Sequence, residues 1–191
     1  MTQIKSLLSL IQTKTTFILV PILLTLPCFA FPFDGNRKGL VAGFGFGFTP
    51  YAYWNRHNSV DETNTGTAVK VLLGYGFNEK NVLAYEISGV SVESDLLNST
   101  ELIQGLNGII WYHSKIAGAT IYSSLGIGKI GFVSEFSNVG GRGFGGQIGV
   151  GLEFKRHFQL DVIYLIGRTT SKDDVNFDHQ VLLILFTALA F

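Results

Sequence analysis

Two short segments carry the residue types that nucleophilic chemistry needs. Tyr112-His113-Ser114 sets an imidazole beside a hydroxyl, and His57, Ser59 and Asp61 crowd into one polar stretch. A Ser–His pair serves acyl transfer when a ring nitrogen reaches the hydroxyl and a carboxylate orients the ring. Consecutive residues of an extended strand point to opposite faces, so His113 and Ser114 miss that geometry. His57, Ser59 and Asp61 read as polar residues of a loop, where spacing alone sets no base–nucleophile arrangement. The four histidines, His57, His113, His157 and His179, form no close pair of the kind a zinc site uses. Asp173, Asp174 and Asp178, or Glu93, Asp95 and Glu101, have the oxygen donors for loose calcium binding, and otherwise make ordinary solvated acidic loops. The expectation is therefore a protein with no catalytic centre, no metal and no cofactor.

Four charges need another explanation. Lys70, Glu86, Glu153 and Asp161 lie among alternating apolar residues, on the same side as Asn107, Tyr122 and Gln147. What positions them is a two-residue period. In 39–48, Gly-Leu-Val-Ala-Gly-Phe-Gly-Phe-Gly-Phe, one parity holds Leu40, Ala42, Phe44, Phe46 and Phe48, and the other is mostly glycine. Such sets fall on opposite faces of a strand, whereas a helix would scatter the rings. The pattern returns near 67–77, 82–92, 102–113, 119–128, 143–154, 158–167 and 180–191, the last apolar on both parities. Segments of this length are what tilted strands need to cross a bilayer.

Short connections at 78–81, 114–118 and 155–157 alternate with longer polar ones at 49–66, 93–101, 129–142 and 168–178. This predicts an all-β fold, an eight-stranded antiparallel up-and-down barrel spanning a membrane, with the apolar parity toward lipid and glycine and polar residues in the lumen. Closure removes the strand edges that hydrocarbon could not satisfy. Phe77, Tyr112, Phe154, Phe158 and Phe191 are expected to form one interfacial girdle, and Phe48, Tyr51, Tyr53, Trp54 and Phe144 the other. In a lumen this narrow, Lys70 needs a carboxylate partner, and the polar set Lys70, Glu86, Asn107, Tyr122, Gln147, Glu153 and Asp161 reads as a plug. Parity also turns Ile103, Ile109, Trp111, Ile163, Leu165, Leu182, Ile184 and Phe186 inward, as a packed half-core or as the wall of a pocket for a small apolar compound.

The N-terminal residues 1–30 have Lys5 and Lys14, an apolar run from Phe17 and a small-residue ending at Ala30, which describes a cleavable secretory signal. A lipid-modified Cys28 is the alternative, and Pro27 suits it poorly. Residues 31–191 are then the barrel domain, free of cysteine. The 191-residue chain has 14 basic and 14 acidic residues, which gives no ground for nucleic-acid binding. The longer connections are richer in acid, and the short ones, taken with Arg37 and Lys38 ahead of the first strand, in base. That distribution predicts repulsion of lipid phosphates at the loop end unless divalent cations bridge them.

The opening strand Gly-Leu-Val-Ala-Gly-Phe-Gly-Phe, Leu125-Gly-Ile-Gly128 and the ending at Phe191 resemble the small eight-stranded outer-membrane barrels of Gram-negative bacteria, the OmpA-like and OmpW-like group. The resemblance implies residence in the outer membrane, among its lipids. It implies that Phe191, with Leu189, Leu185 and Leu183 at alternate positions, is read by the barrel-assembly machinery, although Thr187 interrupts the series. It also implies three kinds of role. The first is structural, or surface interaction in which the four longer connections meet an extracellular ligand or host surface. The second is binding or passage of small hydrophobic molecules. The third is lipid A modification, where the group's deacylases use a His and Ser two apart on one strand face; this chain departs from that pattern. No globular periplasmic domain is expected after Phe191.

Overall fold

The computed structural model describes residues 37–56, 60–94, 98–113, 120–134, 140–154 and 157–190. The expected signal at 1–30 and the terminal Phe191 lie outside them. Eight strands run in sequence order: β1 Gly39–Arg56, β2 Val60–Gly76, β3 Asn81–Ser94, β4 Asn98–Tyr112, β5 Thr120–Ser134, β6 Gly140–Phe154, β7 Phe158–Ser171 and β8 Asn176–Ala190. Each pairs antiparallel with the next, and β8 pairs with β1 to close a barrel.

The glycine-and-Phe alternation of β1 behaves as its sequence demands. Leu40, Phe44, Phe46 and Phe48 are exposed on the outside, as are Val69, Val71, Leu73 and Tyr75 of β2 and Leu83, Tyr85 and Ile87 of β3. The bands continue through Leu125 and Ile127, Ile148 and Val150, and Leu160, Val162 and Ile166. A wall this apolar is unsuited to water and suited to hydrocarbon.

Three expectations about side-chain direction are corrected. In β4, Leu102, Leu106, Ile110 and Tyr112 are buried inside, while Asn107 and Trp111 are exposed outside and Ile109 shares their face. In β8, Val181, Leu183, Leu185 and Leu189 are buried in the lumen, and Leu182, Ile184 and Phe186 stand on the outer wall. Both strands are apolar on both parities, so their period says nothing about direction and the neighbours decide. Leu106 registers with Glu86 of β3, and Leu185 with Gly47 of β1, both inward positions. The third correction concerns the girdles: Tyr112 is buried with the inner face of β4, and Trp54, also expected in a lipid girdle, is inside as well. A register shift between Thr49 and Ala52 reverses the parity of β1, turning Ala52 and Trp54 inward. The Thr49 hydroxyl fixes this bulge, lying 2.9 Å from the carbonyl oxygen of Tyr51 and 2.8 Å from that of Leu182.

The longer connections are also not loops. Residues 49–56 and 60–66 are strand, and most of 93–101, 129–142 and 168–178 is strand as well. The hairpins extend past the apolar band at one end, where their residues turn polar because they leave hydrocarbon, not because they leave the sheet. At the opposite end the turn 77–80 is tied by the Asn78 side chain, which accepts from the backbone N–H groups of Lys80 and Asn81 at 2.8 and 2.9 Å. The extended end corresponds to the outside of a membrane barrel and the Asn78 end to the periplasmic base.

Candidate functional site

The chemistry-bearing side chains gather inside the barrel in three layers. At the base, Arg37 comes in ahead of β1 and is fully buried. Its Nη2 donates to Glu153 Oε1 at 2.7 Å, its Nη1 to the Glu79 carbonyl at 3.0 Å, and its guanidinium carbon lies 4.0 Å from the centroid of the Tyr112 ring. Gln159 donates to the Tyr112 hydroxyl at 2.8 Å. One arginine thus joins the entry to β1, the β2–β3 turn, β4 and β6. In the sequence Arg37 is one of several charges of the base, and nothing there marks it as buried. Its nearness to the start of β1 was the available signal, but nothing local shows that the chain folds beneath the barrel.

The middle layer is centred on Asp161 of β7. Lys70 Nζ donates to Asp161 Oδ2 at 2.5 Å, Thr187 Oγ1 donates to the same oxygen at 2.7 Å, and the Tyr122 hydroxyl donates to Oδ1. Lys70 and Asp161 are both almost wholly buried. Beside them Gln147 Nε2 donates to Glu86 Oε1 at 2.9 Å, with the Ser88 hydroxyl 3.4 Å from that oxygen. Of the polar set read from sequence, Lys70, Tyr122 and Asp161 come together, Glu86 and Gln147 pair, and Glu153 belongs to the base. Asn107 is outside, on the lipid-facing parity.

Above this lies a dry layer in which Leu102, Ile130, Ile163, Leu165, Leu183 and Leu185 pack together. Its outer edge is aromatic: Trp54 meets His179 edge-on at 4.6 Å between ring centroids, and Phe132 meets Phe177 at 4.8 Å. His179 is buried, with Nε2 2.7 Å from the Thr169 hydroxyl, while its Nδ1 and the Trp54 Nε1 have no hydrogen-bond partner. Of the apolar wall expected from sequence, Ile163 and Leu165 belong here. Ile109, Trp111, Leu182, Ile184 and Phe186 do not, and the side chain of Ile103 lies outside the described ones. Phe186 instead joins Phe46, Phe154 and Phe158 on the outer wall.

The Ser–His chemistry takes an unexpected form. His113 Nε2 lies 3.2 Å from the hydroxyl of Ser123 on the adjacent strand, in an exposed position at the base. No described carboxylate hydrogen-bonds His113, so the pair lacks the third member that orients an imidazole for nucleophilic work. Ser114, His57 and Ser59 lie outside the described residues, as does the Asp61 side chain. Among the described residues no group of three His, Cys, Asp or Glu side chains is arranged to hold a metal ion.

The closed eight-strand barrel has counterparts among solved structures. Neisserial surface protein A has a solved structure that superposes with a TM-score of 0.53 at 12% identity, over 81% of this chain and 97% of that one. The fold is that of a small outer-membrane barrel. Two further solved outer-membrane barrels align at lower scores. Ail, the attachment invasion locus protein of Yersinia pestis, gives 0.47 at 17% identity over 78% of this chain and 99% of its own. The outer membrane enzyme PagL gives 0.48 at 11% identity over 74% and 98%. No protein-family profile matches the chain, and no curated protein matches it by sequence. Identities this low speak to architecture, so the role of this outer-membrane barrel rests on its own residues.

Proposed function

We propose that this outer-membrane barrel is a closed scaffold whose work is done at its outer end, where the hairpins rise past the lipid and meet an extracellular ligand or host surface. The observation that carries this reading is the filled lumen: among the described residues the Lys70–Asp161–Tyr122–Thr187 layer crosses it, and a packed apolar layer lies above. In planar bilayers the folded chain is expected to insert without steady conductance. Stable ohmic channels would overturn the reading. Insertion through the barrel-assembly machinery is part of the proposal, with β8 and Phe191 as the recognised end. Leu183, Leu185 and Leu189 face the lumen in the closed barrel, so such recognition would precede closure.

A second reading is binding of a small apolar molecule with one polar group, and the unpartnered nitrogens of Trp54 and His179 at the edge of the dry layer favour it. Saturable binding of a hydrophobic fluorescent probe, weakened by Phe132→Ala and untouched by Phe186→Ala, is the expected signature. Catalysis has less support, because the His113–Ser123 pair has no orienting carboxylate among the described residues.

A further inference from the structure

The outer wall of β5–β8 carries cations where a lipid-facing surface is expected to be bare. Lys129, Phe144, Arg168 and Asp178 are successive cross-strand partners along one row on β5, β6, β7 and β8. Arg142 lies one step further out, between Gly131 and Thr170. Lys129, Arg142 and Arg168 are all exposed. Strand spacing sets Lys129 and Arg168 about 10 Å apart, with Arg142 above and between them. Asp178 grips Arg168 through two hydrogen bonds, 2.6 Å from Nε and 3.0 Å from Nη2, which fixes the guanidinium against the wall. The carboxylate offsets one charge, and the patch stays net cationic. Among the described side chains, the other acids on this side, Asp173 and Asp174, lie beyond β7 in the turn with Lys172.

Directly beneath the cations the wall becomes strongly apolar. Phe144, within the row between Lys129 and Arg168, is 74% exposed, and Ile127, below Lys129, is 71% exposed. Gly146 registers between Ile127 and Ile166. With Phe144 above it and Ile148 below on the same strand face, the missing side chain leaves a notch in the wall. Cations at the water boundary over an apolar notch match an amphiphile with anionic headgroup and acyl chains. Arginines present planar donor forks suited to phosphate. Three cations spread over about 10 Å suit two phosphates carried on one sugar headgroup better than a single phosphodiester.

We propose that this wall binds a phosphorylated, acylated sugar lipid of the outer leaflet, of the lipid A class, with phosphates on Lys129, Arg142 and Arg168 and an acyl chain along Gly146. Summed charge of the loop end predicted repulsion of such phosphates. The sum conceals that these basic residues stand together on one wall.

Residues 31–191, folded in detergent, would be titrated with diphosphorylated lipid A and followed by native mass spectrometry. Monophosphorylated and fully dephosphorylated lipid A, phosphatidylglycerol and a soluble heparin fragment would be compared. Diphosphorylated lipid A is expected to bind most tightly. The K129Q/R142Q/R168Q variant should bind it about tenfold more weakly, whereas K38Q/K80Q at the base should not. Gly146→Leu, which fills the notch and keeps every cation, should also weaken it. Folding is checked by the shift in gel migration between heated and unheated samples. If the triple variant does not fold, the single changes K129Q and R142Q serve, each expected to weaken binding about threefold. Equal binding of the dephosphorylated lipid, or undiminished binding by the cation variants, overturns the proposal. So does tighter capture of the heparin fragment through the same three residues, which would mark a site for soluble polyanions. None of these measurements depends on whether the lumen conducts.

Discussion

Thr187 reaches Asp161 through space that any side chain on Gly45 would occupy. Gly45 and Thr187 are cross-strand partners at the seam where β8 meets β1, and a Cβ built on Gly45 would stand 2.6 Å from the Thr187 hydroxyl. The seam glycine and the buried charge cluster are therefore one unit. Gly45→Ala is expected to push Thr187 off Asp161 and to cost about 1–3 kcal/mol. Urea unfolding from lipid vesicles, followed by tryptophan fluorescence, measures this. An unshifted midpoint would mean that the seam yields freely.

Asp161 depends on its cation. Lys70→Met leaves the carboxylate buried with only the two hydroxyl donors, an expected loss of about 3–5 kcal/mol. Adding Asp161→Asn removes the stranded charge while still accepting from Tyr122, and should recover part of that loss. A double-mutant cycle reads the coupling, and additive single costs would show that the pair does not interact.

The two tryptophans report the direction of side chains. Trp54 is inside and Trp111 outside. A W54F chain, retaining Trp111, is expected to lose fluorescence in vesicles of lipid brominated on its acyl chains. A W111F chain, retaining Trp54, should be protected from bromine and from aqueous iodide alike. The reverse result would restore the inward face first read for β4.

Arg37 holds the base together. Arg37→Gln leaves Glu153 in a buried site without its guanidinium and removes the stack on Tyr112. The expected cost is about 3–5 kcal/mol, and Arg37→Lys should recover only part, because an ammonium cannot reproduce the planar fork. The same vesicle unfolding assay checks both.

Strand number, closure and the lipid-facing residues of β1, β2, β3, β5, β6 and β7 were legible because one parity in each is glycine-rich or polar. β4 and β8 were not, since a two-residue period assigns faces only when the faces differ in chemistry. Register supplied what was missing: Leu106 follows Glu86 inward, and Leu185 follows Gly47. The need of Lys70 for a carboxylate was likewise legible, but its choice of Asp161 over Glu86 or Glu153 was not. That partner lies 91 positions along the chain, and only closure brings the two strands into range. The cation wall is invisible to charge summed by connection, because the fold arranges charge by row across four strands.

The closing seam has a consequence for how the last strand finds its place. Gly43, Gly45 and Gly47 stand opposite Leu189, Thr187 and Leu185, and the run is bounded by Val41 and Thr49. A slip of one residue turns every side chain of β8 to the wrong face. A slip of two sets Leu189 against Val41, or Leu185 against Thr49, depending on direction. Three empty notches between two occupied ones thus work like the wards of a lock. The barrel proofreads its own final join, because a wrongly threaded terminal strand is refused by shape at the moment of closure.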